Sequence, residues 1–229
     1  MKNELKEIKL YNFKNNENIS PFAPKWNYLI VDAFMSNVNC KELATFLLEK
    51  EKDILNTPID PNLISDGNTG LGNNSITSRH KIYNFLNFEN EEILKIEDNI
   101  KIIHEIYLSY LNIPLPTELY AQSWFNVMRK NEQIKQHKHG ADQYSYLSGH
   151  ITVQSEETHT HYINSNLDPS FKKDYDFPIK NKDGNITLFN ETIPHYTDMH
   201  LGNAERITVA FDLSFVPRSK TWKKLYGHK

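Results

Sequence analysis

Gln136-His137-Lys138-His139-Gly140-Ala141-Asp142 sets two imidazoles two residues apart, with a carboxylate three residues beyond the second. Read as extended chain, side chains at i and i+2 share a face, so His137 and His139 can converge on one ion. Read as helix, the stretch fails the metal pattern HExxH, which needs its histidines at i and i+4. Read as a turn, it is two polar surface histidines. The downstream sequence favours the extended reading. His195 follows His137 by 58 residues, and Arg206, eleven residues after His195, leads Arg206-Ile207-Thr208-Val209-Ala210-Phe211-Asp212, an apolar strand.

From Tyr120 on, the period of the apolar residues is two. Ser123-Trp124-Phe125-Asn126-Val127-Met128 alternates, and Tyr146 to Gln154, His159 to Ile163, Gly184 to Phe189, Thr192 to Thr197 and Arg206 to Phe215 are further strand candidates. Short strands parted by turn residues predict a sandwich or barrel. A polar loop of about twenty residues before Gly184 is long for a connection. Before Tyr120 the pattern is helical. Asn39 reads as an N-cap with Glu42 at the capping-box position, and Leu43, Phe46, Leu47 and Ile54 predict an amphipathic helix over 40–55. Ile93, Ile96, Ile100, Ile103 and Tyr107 form one apolar stripe over 91–111, ended by Asn112 to Pro116. His104 adjoins that stripe and reads as structural. Trp26 to Val31 predicts a strand. Residues 1–25, ending in Pro21-Phe22-Ala23-Pro24, predict little regular structure, and the basic tail 217–229 predicts a solvated end with Trp222 and Tyr226 as anchors.

Early helices and late strands predict a mainly β, α+β chain with helices backing a sheet. We expect one domain over 1–229: helical support and loops over 1–119, a β core over 120–216, and the tail. Residues 56–78 read as loop. Within them Asp66-Gly67-Asn68-Thr69-Gly70-Leu71-Gly72 lacks the GxxxxGK[ST] pattern of a phosphate loop, and its glycines fit positive φ instead.

The 229 residues carry 26 basic and 29 acidic side chains, a net charge of −3, which gives no reason to expect nucleic acid or an acidic membrane as partner. The single cysteine, Cys40, excludes an internal disulfide framework and reads as a small buried or half-buried residue. The start, Met1-Lys2-Asn3-Glu4-Leu5-Lys6, has no apolar run of signal-peptide type, and no run approaches the ~20 residues that span a bilayer. A soluble, cytoplasmic protein is expected.

Three imidazoles from two separate strands would make an open metal site, and two histidines with a carboxylate suit non-haem Fe(II). An arginine heading an apolar strand needs a partner, either a strand-end ion pair or a bidentate carboxylate ligand. Together, Trp124-Phe125-Asn126-Val127, His137-Lys138-His139, Leu147-Ser148-Gly149, Ile186-Thr187-Leu188-Phe189, Pro194-His195 and Arg206-Ile207-Thr208-Val209-Ala210-Phe211 resemble, in that order, the Fe(II)/2-oxoglutarate-dependent dioxygenases. The likeness is to the prolyl-hydroxylase-like branch of bacteria and marine phages, over about residues 120–216. It implies a double-stranded β-helix (jelly roll). It implies Fe(II), 2-oxoglutarate as co-substrate, O2, and ascorbate as a reductant. The implied substrate is a small molecule or a peptide or protein, with a prolyl or other amino-acid side chain as the hydroxylated group, in the cytoplasm (a host's, if phage-encoded).

On that resemblance His137 and His195 are the iron histidines. Arg206, with Thr208 beside it, holds the distal carboxylate of 2-oxoglutarate, while Asn126 and Thr152 fall where relatives contact the co-substrate. The usual His-x-Asp is departed from, because His139 holds the +2 position. Either His139 is the third ligand, or Asp142 swings in through a turn at Gly140-Ala141, or two protein ligands suffice. Three histidines also suit Zn²⁺, so a non-catalytic jelly-roll metal-binding or structural module is the alternative. His159, His161 and His200 read as surface or substrate-side residues.

Overall fold

The structure is a computed structural model that describes residues 4–14, 20–23, 25–140, 142–171 and 175–227. Ten strands and two long helices are described: β1 (Leu5–Lys14), β2 (Asn27–Met35), α1 (Cys40–Leu55), α2 (Glu91–Tyr110), β3 (Leu119–Met128), β4 (Leu147–Gln154), β5 (His159–Ile163), β6 (Asp176–Lys180), β7 (Asn185–Asn190), β8 (His195–Thr197), β9 (Arg206–Ser214) and β10 (Lys223–Tyr226). The strands make an antiparallel seven-stranded sheet, β1-β2-β7-β4-β9-β3-β10, and a three-stranded sheet, β6-β5-β8. His137 bridges to His195, so the segment carrying the first two histidines continues the small sheet beyond β8.

Strict alternation gives the large sheet two faces. Phe125 and Val127 of β3, Ile151 of β4, Ile186 and Leu188 of β7, and Ile207, Val209 and Phe211 of β9 pack with Leu43 and Leu47 of α1 and Ile93, Ile96, Ile100 and Ile103 of α2 in one buried cluster. The helices therefore back the large sheet, as the helical stripes require. The opposite face meets the small sheet. There Ile30, Tyr162, Ile179, Phe189 and Ile193 form a second, smaller cluster, and the rest of the space between the sheets is polar.

The helix starts follow the sequence. Asn39 Oδ1 accepts from the Glu42 amide at 3.3 Å, and Asn90 caps α2 through the Glu92 amide at 2.8 Å. The reciprocal half of the first cap comes from the other helix: the Asn39 amide donates to Glu92 Oε2 at 2.5 Å. Cys40 is half-buried, with its thiol pushed up to about 11 by burial, so it stays protonated and unreactive.

Three expectations are corrected. Residues 5–14 form a strand rather than irregular chain, paired with β2. The long polar stretch before Gly184 contains β6, paired with β5. The tail is not wholly a solvated end, because β10 pairs with β3. Met1 to Asn3, Pro24, Ala141 and the last two residues lie outside the described residues.

Candidate metal and co-substrate site

One end of the space between the sheets holds a cavity of about 160 Å³. Among its lining residues are His137, His139 and His195, Arg206, Thr208, Asn126, Trp124, His150 and Asp212. The parity of β9 explains four of the lining residues: Arg206, Thr208, Ala210 and Asp212 alternate onto the inner face, while Ile207, Val209 and Phe211 face the helices.

His137, His139 and His195 each offer a ring nitrogen to a group in which all three lie within 4.8 Å of one another, and Asp142 is not part of it. Each ring is held by Nδ1. That of His137 donates to the Lys135 carbonyl at 2.8 Å, that of His195 to the Ile193 carbonyl at 3.1 Å, and that of His139 lies 2.5 Å from Asp212 Oδ1. A carbonyl oxygen only accepts, so Nδ1 of His137 and His195 carries the proton and Nε2 is left with its lone pair. Burial, with the neighbouring imidazoles, holds His137 down to about 4 and His195 well below its ordinary value. Both are therefore neutral at physiological pH, the form that binds metal. Burial alone would lower His139 too, but the Asp212 carboxylate outweighs it and raises this ring. Burial would likewise raise Asp212. His139 and a 2.6 Å hydrogen bond from Ser148 Oγ reverse that and hold the carboxyl below its usual range.

Asp142 sits apart, accepting from the Tyr144 amide at 2.8 Å. The turn that would swing it inward includes Ala141, which lies outside the described residues.

At the far side of the cavity Arg206 is 1% exposed. Its Nη1 approaches Met128 Sδ at 3.6 Å, its Nε has no partner among the described residues, and no carboxylate pairs with it in any described ion pair. Burial lowers it to about 10, which still leaves it charged at neutral pH. Beside it Asn126 Nδ2 donates to Thr208 Oγ1 at 3.3 Å, and Asn126 Oδ1 accepts from Thr77 Oγ1 at 2.7 Å. Thr152 pairs with Thr208 across the strands, yet it does not line the cavity, and its buried Oγ1 has no partner among the described residues.

The sequence reading passed over His150, Asp212, Thr77 and His80. His150 donates or accepts at 2.7 Å with the Tyr162 hydroxyl and is held neutral, down to about 3, by burial and then by Arg206. Period two along β4 and β9 was the signal for His150 and Asp212; Thr77 and His80 come from a 3₁₀ turn with no pattern to announce it. The glycine-rich loop reaches the cavity through Asp66, Gly67 and Thr69. Its amides at Asn68, Gly70 and Gly72 all donate to the Asp66 carboxylate, so this loop supplies its own anion. Gly70 has φ 79°, as the loop reading requires, and a Cβ there would strike the Lys135 side chain.

Of the remaining histidines, His104 is wholly buried between the hydroxyls of Tyr146 and Tyr226, a structural place. His159 and His161 lie on the outer side of the small sheet with Asp176 and Asp198. His200 is not a surface residue: it is fully buried, bonded to the Ala204 carbonyl at 2.6 Å.

No curated protein sequence matches the chain. Among solved structures, a non-heme alpha ketoglutarate dependent carbocyclase, SnoK, from nogalamycin biosynthesis aligns at TM-score 0.51 and 11% identity, over 81% of this chain and 79% of that one. A Pseudomonas putida prolyl-4-hydroxylase aligns at 0.43 and 10% identity, over 56% and 67%. An oxidoreductase of the 2OG-Fe(II) oxygenase family from Burkholderia pseudomallei aligns at 0.41 and 13% identity, over 56% of this chain and 60% of that one. At such identities the first likeness is one of fold. Residues 122–212 match the family described as putative 2OG-Fe(II) oxygenase. The matched segment, 91 of the 229 residues, holds the three histidines and Arg206.

Proposed function

We propose that the protein is a non-haem Fe(II)- and 2-oxoglutarate-dependent dioxygenase of the prolyl-hydroxylase-like branch. In this reading the two sheets form a jelly roll. Its eight core strands are β3, the His137 segment, β4, β5, β6, β7, β8 and β9, alternating between the sheets in chain order except where β5 and β6 pair as neighbours. The observation that carries the reading is a single cavity with three histidines at one side and a buried, unpaired guanidinium at the other.

The donor set fits the implied groups. Three imidazoles anchored through Nδ1 offer Nε2 to a divalent ion and leave positions open for other ligands. A buried arginine without an anion is costly, and its planar fork matches a carboxylate. His137, His139 and His195 would hold the iron. Arg206 and Thr208 would hold the distal carboxylate of 2-oxoglutarate, Asn126 would orient Thr208, and Thr152 would support that end from β4. Iron with 2-oxoglutarate would supply the oxidation in which substrate C–H, O2 and 2-oxoglutarate become alcohol, succinate and CO2. The chain's own work is to place these groups and to keep water from them, with Trp124 and His80 walling the mouth. The hydroxylated partner is a small molecule or a peptide or protein side chain. A cytoplasmic location accompanies this reading. No described helix is long and apolar enough to cross a membrane.

The test is succinate release from 2-oxoglutarate with Fe(II) and ascorbate, run beside a mass-spectrometric screen for a substrate gaining one oxygen atom. Both signals should vanish in His137→Ala and in His195→Ala. Full turnover in either variant would remove the site assignment. No succinate from the wild type, with metal bound, would leave a metal-binding module.

A further inference from the structure

The third histidine departs from His-x-Asp, and the structure places a carboxylate directly behind it. Asp212 Oδ1 lies 2.5 Å from His139 Nδ1 and takes a second hydrogen bond, 2.6 Å long, from Ser148 Oγ. Building on the proposed function, we infer that Asp212 is the positioning residue of the metal cluster: it turns His139 so that Nε2 faces the metal, and it supplies from one residue further out the negative charge that the third ligand lacks.

Three observations converge on this. The first is register. Asp212 pairs with Ser148 of β4, and alternation along β9 puts it on the same inner face as Arg206 and Thr208. It is therefore delivered to the cluster by the same strand that delivers the co-substrate cation. The second is the difference among the three rings. His137 and His195 are each anchored by a backbone carbonyl two residues earlier in their own segment. His139 alone is anchored by a side chain, and that side chain is ionisable. The third is charge. Before 2-oxoglutarate binds, a dication on three neutral imidazoles, in a cavity that already holds Arg206, would be an uncompensated positive centre away from water. A carboxylate hydrogen-bonded to a ligand ring offsets it and makes the ring a stronger donor, an arrangement common behind metal-bound histidine.

A purely structural role is the competing account, because the Ser148 bond ties β4 to β9. The experiment separates the two. Metal-free full-length protein is titrated with Co(II), reading affinity and the visible Co(II) absorption, for wild type, Asp212→Asn, Asp212→Ala and Ser148→Ala. Thermal unfolding of each metal-free protein is measured alongside. Loss of a partner behind a metal ligand typically costs ~10- to 100-fold in affinity. Asp212→Ala should fall in that range. Asp212→Asn, which keeps shape and an acceptor but not the charge, should weaken binding less, by about tenfold on the same scale, and shift the Co(II) spectrum with unfolding unchanged. Ser148→Ala should stay close to wild type. Should Asp212→Ala fail to fold, Asp212→Asn decides. Wild-type affinity and spectrum in Asp212→Asn overturn the inference, as does a Ser148→Ala loss equal to that of Asp212→Asn. A wild type that takes up no Co(II) overturns the metal reading itself, and this inference with it.

Discussion

Arg206 is buried at the head of β9, and among the described residues no carboxylate forms an ion pair with it. Proteins rarely keep such a charge unless a ligand completes it. A hydrogen bond to a charged group contributes about 1.5–3 kcal/mol, so Arg206→Ala should weaken 2-oxoglutarate about ten- to a hundredfold. Arg206→Lys keeps the charge without the fork and should lose less. Metal affinity should hardly change in either. A folded Arg206→Ala that binds 2-oxoglutarate like wild type would end the co-substrate assignment. The third ligand is open to a similar ranking. His139 faces the cluster and Asp142 spends its carboxylate on the Tyr144 amide. His139→Ala should therefore weaken metal binding more than Asp142→Ala, and the reverse order in a metal titration would move the ligand to Asp142.

At the scale of elements, Gly149 shows how closely the central strands pack. It lies opposite Leu188 of β7 and Phe211 of β9, and a Cβ there would meet the Phe211 ring and the Thr187 carbonyl. Overpacking of a filled core costs typically ~1–3 kcal/mol, so Gly149→Ala should lower stability by about that amount in urea unfolding. An unchanged midpoint would mean that Phe211 moves aside freely. The same packing explains which elements could be read from sequence. β3, β4, β7 and β9 are paired on both sides in the large sheet, and their alternation of apolar and polar residues is plain. The three strands that escaped notice, β1, β6 and β10, are all sheet edges. Each pairs on one side only. Leu5-Lys6-Glu7-Ile8-Lys9-Leu10 is mostly exposed, β6 carries Pro178, and β10 begins with two lysines. Lysine and proline are what edges use to avoid further pairing, and they are also what makes a strand look like loop. The histidine cluster was legible because i and i+2 fix a face. Period two along β9 puts Asp212 on the inner face with Arg206, but its partnership with His139 was not legible, because nothing local links two residues so far apart in sequence.

For the molecule as a whole, the space between the sheets contains an ionisable group that is not one of the metal cluster. Asp32 of β2 is 4% exposed and accepts from Thr187 Oγ1 at 2.8 Å and Asn185 Nδ2 at 3.2 Å. Burial, only partly offset by Thr187, Lys9 and Asn185, raises its carboxyl from 3.8 to about 6. Its folded value thus lies above its unfolded value. Between about pH 4 and 6 the native state holds a proton that the unfolded chain has released, so this group's contribution falls as pH rises through that window. Above it the full penalty is present, roughly 2–3 kcal/mol at 1.36 kcal/mol per unit. His104 acts in the opposite sense. Burial lowers it to about 4, so its contribution is lost as pH falls from about 6.5 towards 4. The two slopes oppose each other in the wild type, but a substitution at Asp32 isolates one of them. Asp32→Asn keeps the shape and an acceptor for Thr187, and it removes the charge. It should unfold like wild type near pH 4 and be more stable by up to roughly 2–3 kcal/mol at pH 7, with the gap opening between those values. Urea unfolding of both proteins across that range measures the gap. A difference that stays constant with pH would show that the Asp32 carboxyl titrates alike in the folded and unfolded chain.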